Sequence, residues 1–146
     1  MNAALLILRL VLGTAMAAHG AQRLFGWFGG DRLPRIRLAR AVGLAEFSSG
    51  TLLALGFLGP IGPALMISVM VVAILRARKG RSFFNTNGVE LPVLYIAGAL
   101  AVVFAGPGLY SLDHVVGLDS ISPHVTTWVT VAFGVLGGLG NLAVGD

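Results

Sequence analysis

The sequence predicts an all-α integral membrane helical bundle. A four-helix core occupies residues 1–113, and residues 114–146 supply an outer loop and a fifth C-terminal transmembrane helix. Three observations carry this expectation. Hydrophobic residues make up 56% of the 146-residue chain and charged residues only 11%, where a soluble domain carries about 25% charged residues. The apolar residues come in runs approaching the ~20 that a bilayer-crossing helix needs. Nine of the ten basic residues fall between those runs or at their ends. With a mean hydropathy of +0.89, the chain has too little polar surface to cover a water-soluble fold, so lipid is its expected solvent.

The first run covers residues 3–25 and the second about 41–58. Between the second and third, Gly59-Pro60-Ile61-Gly62-Pro63 predicts a tight turn, because proline lacks the backbone donor and fixes φ. The third run covers about 64–75, extensible to 78, and the fourth 91–105, ending at Gly106-Pro107-Gly108. The second and third are short for a span, which predicts tilted or interfacial ends. A fifth run, 125–144, is apolar but interrupted by Gly134, Gly137, Gly138 and Gly140. Gly134 and Gly138 form a GxxxG spacing, which admits a neighbouring helix at close range, although such spacings also arise by chance in membrane segments. Met1-Asn2-Ala3-Ala4 has no basic n-region, so the first run reads as a retained span and not as a signal peptide.

Basic residues set the expected orientation. Arg23, Arg32, Arg35, Arg37 and Arg40 cluster around the first loop, and Arg76, Arg78, Lys79 and Arg81 around the third. The second loop has no basic residue, and the fourth holds Asp113 and Asp119 without Lys or Arg. The positive-inside rule then predicts a multi-pass protein with the first and third loops cytoplasmic. Phe25, Trp27, Phe28, Phe83 and Phe84 fall at the inner interface, and Tyr110 and Trp128 near the outer one. Because the arginines sit in short loops between apolar runs, their partner is the lipid bilayer and not nucleic acid. Cysteine is absent, which excludes disulfide exchange, thiolate-ligated iron–sulfur clusters and thiolate zinc sites.

Ionisable residues at membrane depth are costly and ask for a partner or a purpose. At 100° per residue, Arg9, Gly13, Met16, Gly20 and Arg23 share one stripe of the first helix, and its small residues point that stripe toward the bundle. Arg9 reads as a structural residue that snorkels outward or pairs with Asp113. His19 flanks the stripe, with Gln22 nearby. Glu46 in the second span lies between Gly43 and Gly50. At ~1.5 Å per residue, His19 and Glu46 both lie roughly 9 Å below the inner interface, so a His19–Glu46 or an Arg23–Glu46 contact is open to the chain. In the third loop, Asn85 and Asn87 suit a turn, Gly88 admits positive φ, and Pro92 suits the first turn of a helix. That loop, with Glu90, would close over the same end. The candidate polar site is therefore His19, Gln22, Arg23, Glu46, Asn85, Asn87 and Glu90, and no metal set is evident. Glu46 also reads as a buried partner of Arg23 and His19 as a packing residue, so a polar plug that only locks the helices stays open.

His19-Gly20-Ala21-Gln22-Arg23-Leu24-Phe25-Gly26-Trp27-Phe28-Gly29-Gly30 resembles the HGxQKLFGxFGG signature of the DoxX family. Gly43-Leu44-Ala45-Glu46, Phe83-Phe84-Asn85-Thr86-Asn87-Gly88 and Gly106-Pro107-Gly108-Leu109-Tyr110-Ser111-Leu112-Asp113 follow in the family's order. The resemblance runs over residues 8–113. It implies a four-helix bundle in the cytoplasmic membrane of a prokaryote. It also implies a non-catalytic accessory subunit of an oxidoreductase system, which docks a soluble redox protein or binds quinone at the cytoplasmic face, alone or as a homo-oligomer. Quinone is the expected non-covalent cofactor; the alternative is a scaffold or assembly factor. Three positions depart from the pattern. Arg23 stands where lysine is usual, the segment between Gly30 and Glu46 is short and basic, and Leu109 replaces the arginine of the GPGRYSLD block.

Overall fold

The computed structural model describes residues 1–29, 37–77 and 88–118, together with 128, 129, 132, 135 and 136. Four long helices form the core: α1 (Asn2–Phe25), α2 (Arg37–Leu55), α3 (Ile61–Ala77) and α4 (Glu90–Ala105). A 3-10 turn at Trp27–Gly29 follows α1, and a single helical turn, α5 (Leu112–Val115), follows α4. Each long helix packs on the next, α1 most extensively on α2, and α4 returns to α1, closing the ring. Successive helices run antiparallel, so the bundle has two distinct ends. The basic end carries the α1 C-terminus and the start of α2. The opposite end carries the α2–α3 turn and the loop after α4.

The helix boundaries move a few residues from the sequence expectation, for reasons of backbone chemistry. α2 begins at Arg37, so Arg37 and Arg40 are helical and not loop residues. It also ends earlier, at Leu55, because Gly56 takes φ 62°. The turn therefore falls before Ile61, and Gly62 and Pro63 lie inside α3. Pro63 is tolerated there because first-turn N–H groups have no intrahelical acceptor; the ladder starts with Ala64 N donating to Pro60 O at 2.9 Å. Pro92 repeats the arrangement in α4, where Val93 N donates to Val89 O at 3.0 Å. α1 ends on Gly26 in the left-handed region, with its N–H on Gln22 O at 2.9 Å, a conformation that costs glycine little.

The α1 stripe does face inward. Arg9, Gly13, Met16 and Gly20 are buried, together with Leu5 and Ala21. A Cβ at Gly13 would lie 2.6 Å from Gly50 O, one at Gly20 would lie 2.7 Å from Phe47 Cα, and one at Gly50 would lie 2.9 Å from Ala17 Cα. The two backbones therefore approach more closely than any larger residue at these positions would allow. The core proper is filled by Met16, Leu53, Met66, Ile67, Met70, Tyr95, Ala99 and Val102.

Polarity is distributed as lipid demands. Arg9, Glu46, Ser49, Ser111 and Asp113 are buried, whereas Ile7, Leu94 and Phe104 are each 62% exposed. Buried charged groups are the informative part of this pattern, since a lipid solvent favours ionisable side chains turned to the bundle interior. Among the described residues, α1 alone is both long and apolar enough to cross a membrane by itself; α3 over Ile61–Leu75 and α4 are apolar but shorter. The expected fifth span lies outside the described residues except for five helical positions. One of these, Trp128, sets its ring edge-on to Phe104 of α4, with centroids 6.4 Å apart.

Candidate functional site

Two polar clusters lie inside the bundle, one toward each end. At the end opposite the basic one, Arg9 is 1% exposed and does not snorkel, and Asp113 lies within its electrostatic reach without touching it. Its guanidinium donates through Nη1 to Pro107 O and through Nη2 to Tyr110 O, the latter at 2.7 Å. The loop after α4 thus turns its carbonyls inward to a helix more than ninety residues away in sequence. Asp113 instead clasps the α2–α3 turn. Its carboxylate accepts from Leu58 N at 2.9 Å and Gly59 N at 2.6 Å, and its own N–H donates to Gly56 O at 3.1 Å. Ser111 caps α5 by accepting from His114 N and donates to Gly108 O at 2.7 Å. Leu109, in the place of the family's arginine, is exposed and takes no part in the clasp through its side chain.

Toward the basic end, the seam between α1 and α2 holds the second cluster. Of the two contacts open to Glu46, the structure forms the one with Arg23: Nη1 donates to Oε1 at 2.5 Å. Glu46 is 3% exposed, and the Arg23 side chain 42%, so the pair joins a buried anion to a half-exposed cation. The second carboxylate oxygen, Oε2, is buried and has no hydrogen-bond partner among the described residues. Ser49 is fully buried one turn along α2, but its hydroxyl donates to the Glu46 backbone carbonyl at 3.1 Å and not to the carboxylate. Tyr95 of α4 is buried in the core within electrostatic reach of Glu46.

His19 does not join Glu46. A helix places residues 19 and 23 one turn apart, yet the His19 side chain turns to the outer flank of α1 and is exposed. There it lines a shallow depression of about 260 Å³ with Ala15, Ala18, Gln22 and Phe28. Phe28 reaches this place because Gly26 reverses the chain and Phe28 itself takes φ 57°. Phe25 packs tilted against Trp27, with centroids 5.2 Å apart, and edge-to-face against Phe47, with centroids 6.1 Å apart. Glu90 sits in the first turn of α4 with its Oε2 buried and unpartnered. Asn85 and Asn87 lie outside the described residues. Among the described residues no three His, Asp or Glu side chains are grouped to hold a metal ion.

Sequence reasoning did not single out Tyr95, Ser49 or Phe28. Tyr95 left a trace, as the tyrosine within the fourth apolar run. Phe28 falls at the inner interface in the sequence reading, but its place against His19 depends on a positive φ at a residue that is not glycine, which the sequence does not signal.

A ring of apolar helices with its charges turned inward and clasped at one end defines a small polytopic α-helical membrane protein. The chain belongs to the DoxX family, whose model matches residues 4–79, a little over half the chain, covering nearly all of α1 and the whole of α2 and α3. The block from Gly106 to Asp113 lies beyond that match. A search of curated proteins and one of solved structures each find no match to the chain.

Proposed function

We propose that this DoxX-family protein is a non-catalytic accessory subunit of a membrane redox system that holds a quinone headgroup beside the α1–α2 seam. Its basic end faces the cytoplasm in this reading, as the distribution of arginines favours. The observation that carries the reading is the depression on α1. An imidazole and a carboxamide, His19 and Gln22, stand at membrane depth on an exposed flank, where a polar group without a ligand or partner is costly. Ala15, Ala18 and Phe28 supply the apolar walls that a ring and its tail require. His19 and Gln22 both offer hydrogen bonds to quinone carbonyls, and Arg23 adds positive charge one turn away. Without cysteine the chain has no disulfide or thiolate-ligated cluster to carry electrons, and in this reading a partner enzyme docked at the same end supplies them.

Trp27 lies beside Phe28, with ring centroids 6.4 Å apart, and makes a local reporter. In a Trp128→Phe background, a short-chain quinone titrated into the protein in lipid nanodiscs quenches Trp27 saturably. His19→Ala and Gln22→Ala each weaken binding about fivefold, the equivalent of one net hydrogen bond of ~1 kcal/mol. Absence of saturable quenching, together with no redox enzyme retained in mild detergent, removes the proposal.

The Arg23–Glu46 pair also ties α1 to α2, which favours a second reading as a scaffold or assembly factor. Loss of folded protein on substituting His19, in place of loss of quinone binding, would select that reading.

A further inference from the structure

We infer that Glu46 is a proton-binding site built into the α1–α2 seam, with Arg23 as the gate that protonation releases. One oxygen of this buried carboxylate is matched to Arg23 and the other to nothing. A half-served buried carboxylate is an expensive group, because the ion-pair attraction offsets desolvation only when the remaining lone pairs are also satisfied. Something small must therefore satisfy Oε2 in at least one state of the protein.

The space around Oε2 determines what that is. The atom is sealed from solvent, and the depression on α1 is lined by other residues. Water, a hydrated cation and an organic headgroup are all too large for a sealed oxygen. A proton is not. Among the described residues, the groups facing Glu46 are few. Arg23 approaches from α1 and Tyr95 from α4, while α3 carries no ionisable residue over Ile61–Leu75. Ser49 spends its hydroxyl on the backbone. Glu90 lies five residues before Tyr95, toward the basic end, with an unpartnered oxygen of its own.

The step is one proton added to Oε2, with the hydrogen bond from Arg23 to Oε1 given up and no other bond changed. It converts an ion pair into a neutral acid and a free guanidinium. Arg23 is already half-exposed, so it can turn toward the surface at the basic end while the neutral acid stays buried. His19 lies one turn from Arg23, which couples the state of Glu46 to the depression. The inference deepens the proposed quinone reading by naming a proton site beside it, and its test contains no quinone, so the two fail separately.

The test is a pH-difference infrared titration of the full chain in lipid nanodiscs, following the carbonyl stretch of a protonated carboxylic acid. The expected acid band is abolished by Glu46→Gln and retained in Glu90→Gln. Arg23→Gln makes the band appear at higher pH by about 1–3 units, the usual effect of a close opposite charge, and Arg23→Lys keeps it nearer the parent. A band that survives Glu46→Gln overturns the proposal. Should Glu46→Gln fail to fold, the Arg23 variants decide, and a midpoint unmoved by Arg23→Gln overturns it equally.

Discussion

Asp113 holds Leu58 in a left-handed turn: its Oδ1 accepts the Leu58 N–H at 2.9 Å while Leu58 sits at φ 59°. Gly56, Leu58 and Gly59 all take positive φ, so the neighbouring Leu58 and Gly59 N–H groups both turn toward the one carboxylate. The loop after α4 thereby fixes the turn between α2 and α3. Leu58 without that carboxylate would be strained, since left-handed backbone costs a side-chain-bearing residue ~1–2 kcal/mol.

Asp113→Ala removes the charged acceptor from two part-buried N–H donors and is expected to destabilise the bundle by about 2–4 kcal/mol. Leu58→Gly relieves the strain and is expected to cost no stability. Unfolding of the two variants in detergent, followed by circular dichroism against the parent, checks both. A stable Asp113→Ala protein would mean that the clasp is incidental.

Arg9 makes a separate prediction at the same end. Arg9→Met leaves the Pro107 and Tyr110 carbonyls without their guanidinium donor, at a cost on the order of 3 kcal/mol. Arg9→Lys keeps the charge but cannot span two carbonyls with a planar fork, so it is expected to recover only part of the loss. Thermal midpoints ordered parent, Lys, Met would bear this out, and equal midpoints for Lys and parent would refute the bidentate role.

The glycines of the seam separate close approach from mere small size. Gly20→Val must push the Phe47 backbone away, because even a Cβ there would lie 2.7 Å from Phe47 Cα. Gly43→Ala meets the Leu24 side chain at 3.1 Å, which can shift, and Arg23 Cβ at an ordinary 3.6 Å. The first substitution is expected to abolish folded protein in membranes and the second to be tolerated. Yields of monodisperse protein from detergent extraction distinguish them.

Much of this architecture was legible in the chain because lipid simplifies the code. The Arg9–Gly13–Met16–Gly20 stripe identifies the buried face of α1 directly, since charge and small size both exclude a lipid-facing position. Glu46 between two glycines marks the facing helix. What periodicity alone left open was the choice of partner. Glu46 had two cations within geometric reach, and side-chain direction, which 100° spacing fixes only coarsely, gave it to Arg23 and turned His19 outward. Arg9 was expected to snorkel or to find Asp113, because sequence offers no sign that the carbonyls of Pro107 and Tyr110 turn inward. The start of α3 differs for a related reason: the reading places Pro63 in the turn before α3, whereas a first helical turn accommodates it, as the same reading allows for Pro92.

Cysteine is absent from the chain, so single-cysteine variants report topology without background. Trp27→Cys and Val116→Cys stand at opposite ends of the bundle and are exposed. With the basic end in the cytoplasm, an impermeant maleimide added to intact cells labels the residue-116 thiol and spares the residue-27 thiol until the membrane is opened. The reverse pattern would invert the proposed orientation and move the His19–Gln22 depression to the outer face. A cysteine at Asp146 then counts the crossings. Four long helices return the chain to the side of residue 116, and a fifth crossing over residues 125–144 carries Asp146 to the side of residue 27. Labelling at 146 together with 116 limits the protein to four crossings. It would leave Trp128 against Phe104 as the anchor of a C-terminal segment that lies along the bundle without spanning it.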